Sequence, residues 1–179
     1  FDAQRLTPDT HFIASTGIGG RTANATARVM MDAYAVQGLR SGQMAHLYAP
    51  DHLNRTSDYG VRFERGTTVD YADRRQAFVS GTASIDNQGR VVAPGDIRLQ
   101  TQRMWQNVQA LLAEADMDFG HVAQLLVYLR DPSDYAVVSR LFARRFPATP
   151  HVILWAPVCR PGWLIEMECI AVKATDTDA

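Results

Sequence analysis

The sequence predicts an α+β fold in which two helices pack on one face of a β-sheet. Three observations support this prediction: paired strand-like segments in mid-chain, two stretches with helical spacing of apolar residues, and a final segment that alternates like a strand. A chain that mixes hairpins with strand–helix units typically forms a sheet with its helices on one face. We expect an N-terminal β extension over residues 1–60 and a single domain over residues 61–179.

The N-terminal extension is predicted to contain three extra strands separated by turn residues. Residues 11–16 are an apolar segment that runs into the Gly-, Asn- and Thr-rich loop GIGGRTANAT. Residues 27–37 alternate as a strand does, although their Ala and Met content also suits a helix, and a strand is favoured. Residues 44–49 are predicted as the third strand.

The rest of the chain alternates strand-like and helix-like segments. Asp96 stands at an N-cap position, before apolar residues that recur at helical spacing. Asp131, Pro132 and Ser133 begin a second helix, and Pro147 ends it. In chain order we predict strands at 61–71 and 75–85, a helix at 97–115, a strand at 121–131, a helix up to 146, and strands at 151–158 and 163–172.

Composition and charge argue against several functional classes. The formal net charge of −1, without a basic block or an RNP-like aromatic motif, disfavours a nucleic-acid partner. No apolar run approaches the roughly 20 residues that span a bilayer, and no signal peptide opens the chain, so we expect a cytoplasmic protein. The two cysteines, Cys159 and Cys169, and the five histidines lack metal-binding or redox spacings, so neither a metal nor a cofactor is expected.

The final strand carries two carboxylates on one face. Glu166 and Glu168 are two residues apart in an otherwise apolar segment, so they point the same way. A carboxyl group partly buried among Trp155 and Trp163 has a raised pKa, which suits a general acid or base near neutral pH. The alternative is a solvated carboxylate without chemistry. Glu168 is interpreted as structural, pairing with an Arg across strands.

Several ordered motifs resemble the Rid/YjgF family, the reactive intermediate deaminases. FVSGTASI resembles the "SG" strand of the family, and VYLRDPSDYAVV resembles its V-(F/Y)-(L/V)-x-D-x-x-D-(F/Y) segment. RRFPATP and IEMECIAV resemble its FP…P segment and its E-I-E-A-I-A ending. This resemblance, which spans residues 76–172, implies a chorismate mutase-like sheet and a homotrimer whose pockets lie between subunits.

One position departs from the deaminating members of that family. Those members carry an Arg just after the FP…P segment, where it binds the substrate carboxylate. His151 or Val152 stands at that position here. Without the guanidinium group, bidentate recognition of a carboxylate is lost at that point, which argues against imine hydrolysis of the usual kind.

A second resemblance, to the chorismatases, extends further towards the N-terminus. STGIGG (residues 15–20) and YGVRFERG (residues 59–66) resemble chorismatase motifs. CRPGWLIE resembles their ending, in which the catalytic Glu follows the Cys by seven residues, the spacing of Cys159 and Glu166. Chorismatases are much longer than this chain. We therefore expect either the homotrimer or a pseudo-trimer that is completed by an N-terminal part outside this chain.

The chorismatase resemblance implies an anionic ring or enol-ether substrate, with Glu166 as the proton donor. Arg65 and Arg160 would bind its carboxylates, although each could instead be a surface or turn residue. Small residues at a strand end allow a ligand to approach backbone N–H groups, although close packing explains them equally well. The predicted substrate-binding residues are Arg65, Arg160, Cys159, Tyr59, Ser80, Gly81, Thr82, Ala83 and Trp155.

Three functions therefore fit the sequence. The first is a chorismatase-like hydrolase, which the Cys-Arg-Pro motif and Glu166 favour. The second is an enamine or imine deaminase with an unusual carboxylate anchor. The third is a non-catalytic trimeric protein that binds a ligand without converting it.

Overall fold

A six-stranded β-sheet and two α-helices form the framework of the computed structural model, which describes residues 3, 6, 10–21 and 23–175. In chain order the elements are β1 (Met44–Leu47), β2 (Gly66–Asp70), β3 (Arg74–Ala83), α1 (Ile97–Glu114), β4 (Val122–Leu129), α2 (Tyr135–Arg145), β5 (His151–Trp155) and β6 (Ile165–Ala174). The strands are ordered β1-β2-β3-β6-β4-β5, and all neighbours are antiparallel except the parallel pair β4 and β5. The predicted α+β class is confirmed.

Both helices share one apolar core with the same face of the sheet. Asp96 caps α1 as predicted, because its carboxylate accepts hydrogen bonds from the backbone N–H groups of Arg98 and Leu99. α2 lies beside α1, where the ring of Phe142 meets that of Trp105 edge-on at a centroid distance of 5.3 Å. We call this side of the sheet the helix-covered face and the opposite side the open face.

Strand β6 lies inside the sheet, hydrogen-bonded to β3 on one side and to β4 on the other. Its successive side chains alternate between the two faces, as the sequence predicts. Ile165, Met167 and Ala171 are completely buried in the core on the helix-covered face. Glu166 and Glu168 therefore project from the middle of the sheet onto the open face.

In the part of the N-terminal extension that the structure describes, β1 is the one strand, rather than the predicted three. Residues 11–16 form a single bridge, between Ala14 and Glu64. Backbone N–H groups of this segment bond to side chains instead of a neighbouring strand, as Ser15 does with the hydroxyl of Ser80 at 3.0 Å. The segment is therefore attached to the sheet without extending it.

The strand predicted for residues 27–37 is wrong. No neighbouring strand pairs with these residues, and the side chains of Val29 and Met31 are 81% and 82% exposed. Alternation alone does not produce a strand when no partner supplies the backbone hydrogen bonds. Neither α1 nor α2, nor any shorter helix in the described ranges, has the length and apolarity that a membrane crossing requires.

Candidate active site

Glu166 lies on the open face of β6, between Ala83 of β3 and Tyr128 of β4 in the strand register. Only 4% of the residue is exposed, and its Oε2 atom has no hydrogen-bond partner among the described residues. Burial, followed by the nearby charge of Glu168, raises the pKa of Glu166 from 4.5 to about 7, against the opposing effect of Arg65. The carboxyl group can therefore hold a proton near neutral pH.

A bulge in β3 makes room for this carboxyl group. The pairing between β3 and β6 shifts between Val79 and Thr82, so that Ser80 and Gly81 fall outside the regular register. A Cβ atom added at Gly81 would lie 2.1 Å from Oε1 of Glu166. The site thus requires a residue without a side chain at Gly81, which explains the glycine more directly than the predicted approach of a ligand to the backbone.

The neighbours of Gly81 on β3 have hydrogen bonds within the fold. The Ser80 hydroxyl donates to the carbonyl oxygen of Glu64 at 2.6 Å. Thr82 is completely buried, pairs with Met167 on the helix-covered face, and donates its hydroxyl to the carbonyl oxygen of Ser80 at 2.8 Å. Of the four small residues predicted to bind substrate, Gly81 and Ala83 lie beside Glu166, whereas the side chains of Ser80 and Thr82 stabilise the bulge.

Two guanidinium groups lie against the ring of Tyr59. The Cζ atom of Arg65 is 5.5 Å and that of Arg160 is 5.6 Å from the ring centroid. Arg65 is 2% exposed, and its Nε and Nη2 atoms donate to the carbonyl oxygen of Asn54 at 3.2 and 3.1 Å. Arg160 is exposed and free to meet a ligand. The structure thus brings both predicted arginines to one aromatic ring.

Electrostatic interactions link the pKa values of Tyr59 and Arg65 with the charge of Glu166. Burial raises the pKa of Tyr59, whose hydroxyl is also buried without a hydrogen-bond partner in the described ranges, and the charge of Arg65 opposes that effect. Burial lowers the pKa of Arg65, and the charge of Glu166 acts in the opposite direction. These mutual effects show that Tyr59, Arg65 and Glu166 lie near one another, and their roles in binding and catalysis stay predictions.

An N-terminal strap, residues 14–19, crosses the open face beside Glu166. The backbone N–H of Gly81 donates to the Thr16 hydroxyl at 2.8 Å, and the thiol of Cys159 donates to the carbonyl oxygen of Gly17 at 3.0 Å. Burial, together with the charge of Glu166, raises the pKa of Cys159, so this thiol stays protonated near neutral pH. The motif STGIGG thus forms one wall of the site, a role that its Gly-rich composition alone did not indicate.

Trp155 and Glu168 differ most from the sequence-based interpretation. Trp155 ends β5, two strands away from β6, and is 75% exposed, so it does not bury Glu166 within this chain. Among the described residues, the partner of Glu168 is not an Arg but Tyr128, whose hydroxyl donates to its Oε1 atom at 2.8 Å. Glu166 is buried by the strap and by the bulge in β3, and not by Trp155.

Sequence comparison places this chain in a known family. The family model described as Endoribonuclease L-PSP matches residues 67–173, more than half of the chain. A RutC family protein of Pyrococcus abyssi is 35% identical over 98 residues, which cover 54% of this chain and 77% of that protein. Protein DfrA of Myxococcus xanthus is 29% identical over 101 residues, which cover 55% of this chain and 77% of that protein.

Solved structures share the same fold. A chorismatase crystal structure aligns with a TM-score of 0.64 and 24% identity, over 74% of this chain and 44% of the chorismatase chain. E. coli TdcF with bound serine aligns with a TM-score of 0.60 and 19% identity, over 72% of this chain and 98% of that chain. Because the family model covers more than half of its length, this chain belongs to the Endoribonuclease L-PSP family, which is the Rid/YjgF family.

Proposed function

We propose that this chain is a small-molecule hydrolase that acts on an anionic enol-ether metabolite of the chorismate type. The observation that carries the proposal is the buried carboxyl group of Glu166, whose Oε2 atom is unpartnered within the described residues. A raised pKa keeps that group protonated near neutral pH, and a general acid needs this state before it meets the substrate. Arg65 and Arg160 supply positive charge for substrate carboxylates.

The proposed reaction is acid-catalysed hydration of the enol ether. Glu166 donates its proton to the methylene carbon, which leaves an oxocarbenium centre on the ether-bearing carbon. Water adds at that centre, and its proton returns to Glu166. The hemiketal then breaks its bond to the ring oxygen as the proton of its hydroxyl group passes to that oxygen, which releases pyruvate and the ring alcohol. One water is consumed, and the enzyme ends in its starting protonation state.

Pyruvate release from chorismate tests this proposal. The full chain is incubated with chorismate, and pyruvate is detected by coupling to lactate dehydrogenase and NADH. Pyruvate formation supports the hydrolase. Ammonia release from 2-iminobutyrate without pyruvate release would favour the deaminase, although His151 and Val152 leave the usual carboxylate anchor unfilled. Neither product would contradict the hydrolase and leave the non-catalytic ligand-binding protein.

A homotrimer in the cytoplasm is part of the same proposal. Family resemblance supports subunit association with pockets between subunits, and Trp155, exposed at the end of the edge strand β5, is suited to line such a boundary. Light scattering coupled to size-exclusion chromatography distinguishes a trimer from a monomer. A monomer that still releases pyruvate would overturn the need for shared pockets.

Replacing Arg160 with Gln is expected to raise the KM for chorismate by about 10- to 100-fold, the usual loss for a charge-assisted hydrogen bond. The melting temperature should stay near that of the wild type, because Arg160 is exposed. Steady-state kinetics measures KM, and Arg98→Gln on the exposed side of α1 is the matched control. An unchanged KM would show that Arg160 does not contact the substrate.

A further inference from the structure

We propose that Glu168 is a positioning residue for the acid chemistry of this site: its carboxylate, held by Tyr128 at the edge of a cavity on the open face, keeps the neighbouring Glu166 protonated. The inference rests on the proposed role of Glu166 as the proton donor. It gives a function to the second carboxylate of β6, which sequence reasoning treated as structural. Geometry, solvation and the surrounding charges support it in turn.

The two carboxyl groups are fixed close together by the sheet. Residues two apart on one strand face share a side and lie about 6.6 Å apart along it. Opposite them on β4, Tyr128 pairs with Glu166 and Leu126 pairs with Glu168. The Tyr128 side chain reaches diagonally to Glu168, where its hydroxyl donates to Oε1 at 2.8 Å. This hydrogen bond fixes the position of the Glu168 carboxylate on the open face.

The two carboxyl groups differ sharply in their access to water. Glu168 lines a cavity of about 170 Å³ on the open face, together with polar residues such as Gln124 and apolar residues such as Phe78 and Leu126. A cavity of that size has room for several waters, since one water needs only about 10–15 Å³. Glu166 is 4% exposed and has an unpartnered oxygen within the described part of the chain. Ionisation of Glu166 would therefore place a second, buried negative charge beside the carboxylate of Glu168.

The other titratable groups around Glu166 leave this effect in place. Cys159 and Tyr59 are neutral near pH 7, because burial raises the pKa of each. Arg65 is the opposing cation, and its Nε and Nη2 atoms donate to the carbonyl oxygen of Asn54. The pKa of Glu166 remains raised, to about 7, despite that charge. Among the neighbouring charges, that of Glu168 therefore favours the protonated form of Glu166.

Replacing Glu168 with Gln is expected to lower the pKa of Glu166 by about one unit, the usual size of one nearby charge effect. Carbon-13 NMR of protein labelled at the Glu side-chain carboxyl carbon measures this titration, and Glu166→Gln identifies the resonance. At pH 7 the protonated fraction, and with it kcat, should fall about five-fold, with recovery near pH 5. Glu168→Asp keeps the charge and should retain most of the raised pKa.

Two further variants make the result decisive. Tyr128→Phe removes the hydrogen bond to Glu168 without removing the carboxylate, so the pKa of Glu166 should fall by less than in Glu168→Gln. This variant tests the inference even if Glu168→Gln does not fold. Asp73→Asn, which removes an exposed carboxylate at the far end of β3, should leave the titration unchanged.

The NMR titration needs no substrate, so it separates this inference from the proposed function. A shifted titration in the Glu168 and Tyr128 variants supports the inference even if chorismate is not hydrolysed. Pyruvate release by an enzyme in which Glu166 titrates identically in wild type, Glu168→Gln and Tyr128→Phe would overturn the inference and leave the proposed function standing.

Discussion

Replacing Glu166 with Gln is expected to lower kcat for pyruvate release by about 10²- to 10⁴-fold, the usual contribution of a positioned general acid. Gln keeps the shape of the side chain but cannot donate a proton to the enol ether. The side chain is 4% exposed, so no solvent group takes its place easily. The measurement is steady-state pyruvate release at saturating chorismate, with Asp73→Asn as the control for the loss of one carboxylate.

The same substitution is expected to stabilise the protein above pH 7. Folding raises the pKa of Glu166 from 4.5 to about 7, so the folded state binds more protons than the unfolded state in that range. Wild-type stability therefore falls as the pH rises from about 4.5 to about 7 and stays reduced above it. Gln removes this cost, which amounts to as much as about 3 kcal/mol for a pKa difference of about 2.5 units.

This combination separates lost chemistry from lost structure. Urea unfolding at pH 8 should show a more stable Glu166→Gln variant, whereas at pH 4 the two proteins should differ little. Wild-type kcat should also fall as the pH rises through about 7, because the protonated acid is the active form. A variant that keeps more than a tenth of wild-type kcat would rule out Glu166 as the essential proton donor.

The sequence predicted those parts of the fold that depend on local pattern. The cap at Asp96, the helix that follows it and the alternation of β6 are set by neighbouring residues, and the structure confirms each. Residues 27–37 show the same alternation without a partner strand. Their pattern was correct for a strand, but nothing in a local window records whether a second strand lies within hydrogen-bond distance.

The sequence identified individual residues of the candidate site, but not the contacts between them. Resemblance identified Glu166, Arg65, Arg160 and Cys159, and the structure places Arg65 and Cys159 within electrostatic range of Glu166 and Arg160 against the ring of Tyr59. The partners that define their chemistry are distant in the chain: Tyr128 reaches Glu168 from 40 residues away. Such contacts arise from strand order, which a single sequence does not record. Trp155 was predicted to lie beside Glu166, yet β4 separates the strands of the two residues.

The wall around Glu166 combines three segments whose side chains are small where they meet the carboxyl group. Thr16 of the strap, Gly81 of the bulge and Ala83 of β3 leave a space that one carboxyl group fills. Such a space excludes water without supplying a hydrogen-bond donor to Oε2, and this is the condition that keeps the acid neutral. Substitutions that enlarge these small residues should therefore act on the carboxyl group directly.

Replacing Gly81 with Ala is expected to lower kcat at least about ten-fold, because a near-attack geometry tolerates little displacement of the acid. The added Cβ would lie 2.1 Å from Oε1 of Glu166 and 2.8 Å from Cγ2 of Thr16, so both must move. The overpacking should cost about 1–3 kcal/mol of stability. The measurements are kcat for pyruvate release and urea unfolding. Gly20→Ala is the matched control, since its Cβ would meet nothing within 4 Å.

A double variant separates the two contacts of the new methyl group. Thr16→Ser removes the methyl group that Gly81→Ala would strike and keeps the hydroxyl that accepts from the backbone N–H of residue 81. Combined with Gly81→Ala, it should recover part of the lost stability but little of the lost kcat, because the contact with Glu166 persists. Recovery of both would instead show that the strap, and not the carboxyl group, limits the reaction. Wild-type kcat in Gly81→Ala alone would contradict the requirement for a fixed position of the Glu166 carboxyl group.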